Sequence, residues 1–165
     1  APLAEATGAA TQADVRLSGH ALQCRVTTED PQNNFIPDYG RITAYRSATG
    51  NGIRLDGGTA YSGAVITRYY DSLLVKLTVR GYSWQQTIQR LKRALKDFLI
   101  VGPKTTIPFY LAICDDKDFR DGRFTTDYLE AHPELFDYPE PEREIAKLSK
   151  LIAEIHARKI NPYAY

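Results

Sequence analysis

The chain has 165 residues, 43% of them hydrophobic and 25% charged, which is the balance of one folded domain long enough to bury a core without staples. Lys plus Arg number 21 and Asp plus Glu 20, and the resulting charge of +1 argues against a protein whose main work is gripping nucleic acid or an anionic membrane. Cys24 and Cys114 are too few for a disulfide framework or a four-cysteine zinc site and read as reduced thiols in a cytoplasmic compartment, while the absence of a ~20-residue apolar run and of a basic-then-apolar amino terminus argues against membrane insertion and secretion.

Residues 1–18 are rich in Ala, Thr and Gly without clear periodicity and read as a leader from something upstream. From Gly19 to Arg80 the pattern is strand-like. In residues 21–27, Leu22, Cys24 and Val26 alternate with Gln23, Arg25 and Thr27, so one face is apolar and Arg25 lies on the other. Further short strands are expected in RITAY (41–45), GIRLD (52–56) and AVIT (64–67), parted by turn chemistry at 37–40, 50–52 and 57–58. In LLVKLTVRG (73–81), Leu73, Val75, Leu77 and Val79 alternate with Leu74, Lys76, Thr78 and Arg80.

The period changes after Gly81. Ser83 and Gln86 fit a capping box, and Trp84, Ile88, Leu91, Leu95 and Phe98 follow at helical spacing, with Gly102-Pro103 as the stop. Shorter helices are expected around Ile107–Cys114 and Thr126–Ala131. An amphipathic tail helix over 140–159 carries Ile145, Leu148, Leu151, Ile152 and Ile155 on one side, with Glu142 and Glu144 in its first turn and Arg158 and Lys159 in its last. Strands first and helices after give an α+β fold, an antiparallel sheet from the N-terminal half packed with C-terminal helices.

Several chemical motifs fail on inspection. The 52–59 segment has phosphate-loop spacing but Gly58 in place of the lysine, and Leu55 stands where a dinucleotide fingerprint needs its third glycine. The acidic 115–121 segment has Lys117 and Arg120 at would-be calcium positions and reads as a solvated loop. His20, His132 and His156 are too scattered for a metal site, and no nucleophile elbow is present. The residues by themselves therefore yield a charged strand face around Arg25 and no autonomous active site.

Five ordered segments say more. SGHALQCRVTTEDP (18–31), PDYGRITAYRS (37–47), GIRLDGGTAYSGAVIT (52–67), YYDSLLVKL (69–77) and VGPKTT (101–106) resemble the C-terminal subdomain of biotin carboxylases, closest to the pyruvate carboxylase branch, over residues 16–136. The resemblance implies residues 1–18 as the link from an upstream ATP-grasp lobe, 19–136 as the subdomain, and 137–165 as a C-terminal helix and tail. It implies an ATP-dependent ligase in which bicarbonate is activated to carboxyphosphate and N1′ of a carrier-bound biotin is carboxylated. The alternatives are the same half-reaction in an acyl-CoA or other 2-oxo acid carboxylase, or a non-catalytic scaffold of this fold.

In this resemblance Arg25 is the guanidinium that meets charge on the biotin ureido oxygen, with Asp71 and Tyr70 beside it at the biotin and bicarbonate site. Thr126 aligns with an adenine contact, and Arg54 and Asp97 with a subunit interface, although Asn51 departs from the aromatic residue often found there. His20 is expected to be structural. Biotin, on a biotin carboxyl carrier domain, is the implied cofactor. ATP and Mg²⁺ would be bound mainly by the ATP-grasp lobe, whose glycine-rich lid and metal-binding glutamates do not occur in these residues, and no metal site is expected in this chain. The intact enzyme is expected to be a homo-oligomer, and the 165-residue chain alone to fold without hydrolysing ATP or carboxylating biotin.

Overall fold

Alternation along three strands builds the sheet on which the candidate site lies. In the computed structural model, which describes residues 11–58, 60–69, 71–139 and 153–154, β1 (His20–Thr27), β6 (Ile53–Gly57) and β8 (Leu73–Gly81) form an antiparallel sheet in the order β1-β8-β6. Tyr70 and nearly all of the expected tail helix over 140–159 lie outside the described residues. The register produces cross-strand rows of alternating character. Leu22, Val79 and Ile53 form one apolar row and Cys24, Leu77 and Leu55 another, separated by the polar rows Gln23–Thr78–Arg54 and Arg25–Lys76–Asp56.

The apolar rows are covered by α1 (Trp84–Asp97), whose Ile88, Leu91, Ala94 and Leu95 join Cys24, Leu77 and Val79 in one buried cluster. The helix starts as its residues predict: Ser83 Oγ accepts from the backbone N–H of Gln86 at 3.2 Å, and Gln86 Oε1 accepts from the N–H of Tyr82 at 2.6 Å. It ends earlier than expected. Asp97 is its last residue, Phe98 is extended, and β9 (Leu99–Val101) pairs with β5 (Ala44–Arg46) before Gly102 is reached. The gain from burying Phe98 and Ile100 in a second core outweighs one more helical turn, a choice that helical spacing alone does not reveal.

Among the described residues three two-stranded antiparallel pairs accompany this sheet: β5 with β9, β2 (Glu29–Asp30) with β3 (Ile36–Pro37), and β4 (Gly40–Arg41) with β7 (Val65–Ile66). The expected strand at 41–45 is thus split between β4 and β5, which pair with different partners. Gly102 carries the turn after β9 at φ +140°, and a Cβ there would stand 2.3 Å from the carbonyl oxygen of Arg41, so only glycine fits. The acidic 115–121 segment is not wholly loop. Asp116 caps a one-turn helix, α3 (Lys117–Arg120), that follows α2 (Ile107–Asp115). The next helix, α4 (Tyr128–Ala131), begins two residues later than expected.

The register of β1 with β8 breaks between Val26, opposite Val75, and Thr27, opposite Leu73. The skipped residue, Leu74, is a β-bulge. Strict alternation placed Leu74 on the polar face with Lys76; the bulge instead buries it completely beside Val75, in a second core with Val26, Ile42, Ala64 and Ile66. At the same point Thr106, 2% exposed, takes over from the ladder. Its hydroxyl accepts from the N–H of Thr27 at 3.1 Å and donates to the carbonyl of Arg25 at 3.3 Å, and its own N–H donates to the carbonyl of Thr27 at 3.1 Å. Thr106 stands at the N-cap of α2 yet gives its side chain to β1 rather than to the helix.

Behind α2, Phe109 stacks on Phe136 with ring centres 5.0 Å apart, in a third cluster with Tyr128 and Leu135. His132 lies over the Tyr128 ring at 4.6 Å, with Nδ1 2.8 Å from Glu134 Oε1 and Nε2 3.9 Å from Asp118. Tyr128 in turn donates its hydroxyl to Asp116 at 2.5 Å. The bond to Glu134, followed by the charges of Glu134, Asp116 and Asp118, holds the imidazole above its usual value of 6.5.

Two outcomes are expected. Thr106→Val strands the Thr27 N–H in the core and should cost about 1–3 kcal/mol, read as a lower urea midpoint, with Thr106→Ser close to wild type. Because the folded-state pKa of His132 is raised, its stabilisation is fully present below the unfolded value and is lost as pH rises through the folded value. The urea midpoint of wild type should therefore exceed that of His132→Gln at acid pH and converge with it at alkaline pH.

Candidate functional site

The open face of the three-stranded sheet, opposite α1, carries Gln23 and Arg25 from β1, Lys76, Thr78 and Arg80 from β8, and Arg54 and Asp56 from β6. Strand period puts them there; the register decides which of them meet. Gln23 donates to Thr78 Oγ1 at 2.9 Å, and the guanidinium of Arg54 grips Asp56 Oδ1 at 2.9 and 3.0 Å.

Arg25 is directly opposite Lys76, two cations in one row, with Asp56 on the far side of Lys76. Its guanidinium lies 3.6 Å from Asp71 Oδ2, and both side chains are more than half exposed, at 58% and 67%. So exposed a pair contributes about 0–1 kcal/mol, which leaves the guanidinium free to turn to another anion. The backbone beneath it is held much more firmly. The Arg25 carbonyl accepts from Thr106 Oγ1 at 3.3 Å and from the Tyr110 hydroxyl at 3.1 Å. Burial drives the Tyr110 hydroxyl up to about 12, so it stays protonated and a donor at any physiological pH.

Asp71 reaches Arg25 through the bulge. The residue after it, Ser72, accepts at its carbonyl from the N–H of Thr28 at 2.9 Å and donates its hydroxyl to Glu29 Oε1 at 2.5 Å. Glu29 Oε2 accepts from Thr27 Oγ1 at 3.1 Å. The word TTEDP and the dipeptide Asp71-Ser72 thus meet in space, Glu29 and Ser72 being 43 positions apart in sequence. Lys104 adds a third, with its N–H donating to Asp38 at 2.7 Å and its ammonium to Asp30 at 2.8 Å.

Of the other residues singled out in the sequence, His20, expected to be structural, is exposed at the start of β1 with its ring edge-on to Trp84 at 6.1 Å. Tyr70 lies outside the described residues. Arg54 shares the open face with Arg25, whereas Asp97 ends α1 on the opposite side of the sheet, where Gln89, Lys92, Arg93 and Lys96 line a shallow cleft with it. The structure therefore does not unite Arg54 and Asp97 on one surface. Thr126 is exposed in the turn before α4, and among the described residues no hydrogen bond or ion pair joins it to Arg25 or Asp71.

Sequence reasoning missed Lys76, Glu29 and Tyr110. Lys76 was legible as a polar-face residue, but only register puts it beside Arg25. Nothing in the helical spacing of residues 107–114 marks Tyr110 as a donor to a distant strand. Cys24 and Cys114 are buried in the first core, and burial pushes both thiols up to about 12, which leaves them inert. Among the described residues no group of three or more His, Cys, Asp or Glu is arranged to hold a metal. The open face can thus present a fixed but rotatable guanidinium, backed by a second cation, to an oxygen that bears or develops negative charge.

Comparison with known proteins gives this arrangement a setting. The family profile of the biotin carboxylase C-terminal domain matches residues 23–131. The pyruvate carboxylase of Staphylococcus aureus is 49% identical over 126 residues, which are 76% of this chain and 11% of that protein. The 2-oxoglutarate carboxylase small subunit of Hydrogenobacter thermophilus is 44% identical over 149 residues, 88% of this chain and 31% of that subunit. Among solved structures, the complete multifunctional pyruvate carboxylase of Rhizobium etli superposes with a TM-score of 0.76 at 54% identity, covering 90% of this chain and 15% of that one. The biotin carboxylase domain dimer of the Hydrogenobacter 2-oxoglutarate carboxylase, in complex with MgADP, ADP and bicarbonate, gives 0.75 at 46% identity, covering 79% and 29%. The chain spans less than a third of each of these relatives.

Proposed function

The chain belongs to the biotin carboxylase C-terminal domain family, and on that premise we propose that it supplies the biotin-facing side of the carboxylation site in an ATP-dependent biotin carboxylase, in the first instance a pyruvate carboxylase. The observation that carries this reading is Arg25: its carbonyl is clamped by Thr106 and Tyr110 while its guanidinium stands free, 3.6 Å from Asp71. Biotin, when bound on its carrier, supplies a ureido nitrogen that accepts the carboxyl group, and its ureido oxygen gathers negative charge as that nitrogen loses its proton. The guanidinium of Arg25 would meet that oxygen with its planar fork of donors. Lys76 raises the positive potential of the same row. The contact with Asp71 yields at small cost, because it is long and solvated.

ATP, Mg²⁺ and bicarbonate are assigned to an ATP-grasp lobe that residues 1–18 would join to the domain of residues 19–136. Support comes from the Hydrogenobacter relative, whose structure holds MgADP and bicarbonate in a chain of which this one matches 29%. The partners in this reading are that lobe, a biotin carboxyl carrier domain and a second copy of the enzyme, for which the dimeric Hydrogenobacter domain is the precedent. The carboxyl acceptor is chosen elsewhere, which fits the presence of both pyruvate and 2-oxoglutarate carboxylases among the relatives. A reducing, cytoplasmic setting suits two buried free thiols.

Removing an aimed donor from a developing oxyanion costs about 10²–10³ in rate, so Arg25→Ala in the intact enzyme should lose that much biotin-dependent ADP release. Arg25→Lys should also be poor, since an ammonium cannot reproduce the planar fork. Near-wild-type turnover of Arg25→Ala would end the assignment. Arg54, on the open face two strands from Arg25, is assigned to the self-association surface, and Arg54→Glu should shift the sedimentation profile of the intact enzyme toward smaller species. An unchanged profile removes Arg54 from that surface.

A further inference from the structure

Arg25 and Asp71 cannot hold each other in place. Their contact is 3.6 Å long and open to water, and such a pair does not repay the entropy of fixing two mobile side chains. The backbones that carry them are separated by the bulge, the point at which the β1–β8 ladder loses its regular register. Whatever sets the spacing of these two side chains must bridge that point.

Glu29 does so. It is half-buried, with Oε1 accepting from the hydroxyl of Ser72 at 2.5 Å and Oε2 from the hydroxyl of Thr27 at 3.1 Å. Ser72 is the peptide neighbour of Asp71, and Thr27 is two residues beyond Arg25. The carboxylate therefore joins the two segments that bear the pair, using both of its oxygens. Charge-assisted bonds of this kind are about twice as strong as neutral ones, and these are partly shielded from solvent. Both oxygens are engaged by hydroxyls, and Arg25 is partnered by Asp71 instead.

We propose that Glu29 is a positioning residue that sets the distance and angle between Arg25 and Asp71 across the bulge, an inference that rests on the placement of Arg25 in the biotin site. It touches no reacting atom and acts only through the pair. A small displacement of a catalytic group costs up to about a hundredfold in rate. Glu29→Ala in the intact enzyme should then lower kcat/KM for biotin about tenfold to a hundredfold, while bicarbonate-dependent ADP release measured without biotin stays within about twofold of wild type. Glu29→Gln should recover most of the loss, because the amide can accept from one hydroxyl and donate to the other.

The decisive measurement is a double-mutant cycle. If Glu29 works through the pair, adding Glu29→Ala to Asp71→Ala should cause little further loss; a general structural role gives additive losses. Additive losses, equal damage to the biotin-dependent and biotin-free reactions, or wild-type kinetics for Glu29→Ala each overturn the proposal. Should Glu29→Ala fail to fold, Ser72→Ala takes its place in the same cycle, since it breaks the bridge at one end only. Arg25→Ala separates the two levels of argument. If that variant keeps biotin-dependent turnover, the reading of the site has failed; if it loses turnover and Glu29→Ala does not, only the positioning role has.

Discussion

The structure turns on the place where β1 changes partners. Up to Val26 the strand is laddered to β8 in regular register; past the bulge Thr27 lies opposite Leu73 while its N–H goes to Thr106, and the N–H of Thr28 goes to the Ser72 carbonyl. One skipped residue in β8 makes the exchange possible, and its consequences run in three directions. Leu74 and Val75, consecutive in sequence, both enter the second core. The start of α2 is fastened to the end of β1 through Thr106. Asp71 comes within reach of a side chain that a regular ladder would have left farther along the strand. A bulge beside a functional residue commonly re-aims a side chain in this way.

Firmness and freedom are divided between backbone and side chain. The Arg25 carbonyl has two donors, one of them on the fully buried Thr106, and each net hydrogen bond of this type is worth about 0.5–1.5 kcal/mol. Among the described residues the Arg25 guanidinium has one carboxylate partner, 3.6 Å away. A residue built this way keeps its Cα fixed while its charged end can follow a visiting group at little cost. The clamp is itself robust to pH, since burial keeps Tyr110 protonated and Thr106 does not ionise.

Charge on the open face is arranged in a line across the three strands. Arg54 is neutralised by Asp56, Asp56 flanks Lys76, Lys76 is opposite Arg25, and Arg25 meets Asp71. Among the described residues Lys76 has no ion-pair partner, so positive charge is in excess at the Lys76–Arg25 row, where an anionic oxygen gains most. The surface assigned to self-association and the surface assigned to biotin are therefore parts of one sheet face rather than separate regions. Arg54 lies two strands across from Arg25 and in the neighbouring cross-strand row, opposite Thr78.

Much of this was legible in the amino-acid order. Period-two alternation placed Arg25 on the polar face of its strand, Ser83 and Gln86 marked the start of α1, and the switch from period two to period 3.6 after Gly81 divided strands from helices. These features depend on neighbours within one or two turns of chain, so local sequence contains their cause. The ordered words TTEDP, YYDS and GPKTT likewise carried the family. What they could not carry was their mutual contact. The bulge at Leu74, the replacement of a last helical turn by β9 at Leu99–Val101, the position of Lys76 opposite Arg25, the bonds of Thr106 and Tyr110 to β1, and the bond of Glu29 to Ser72 all join residues more than forty positions apart. Such pairings are chosen by which register buries most apolar surface and leaves no buried polar group without a partner, and that comparison exists only when the whole domain is assembled.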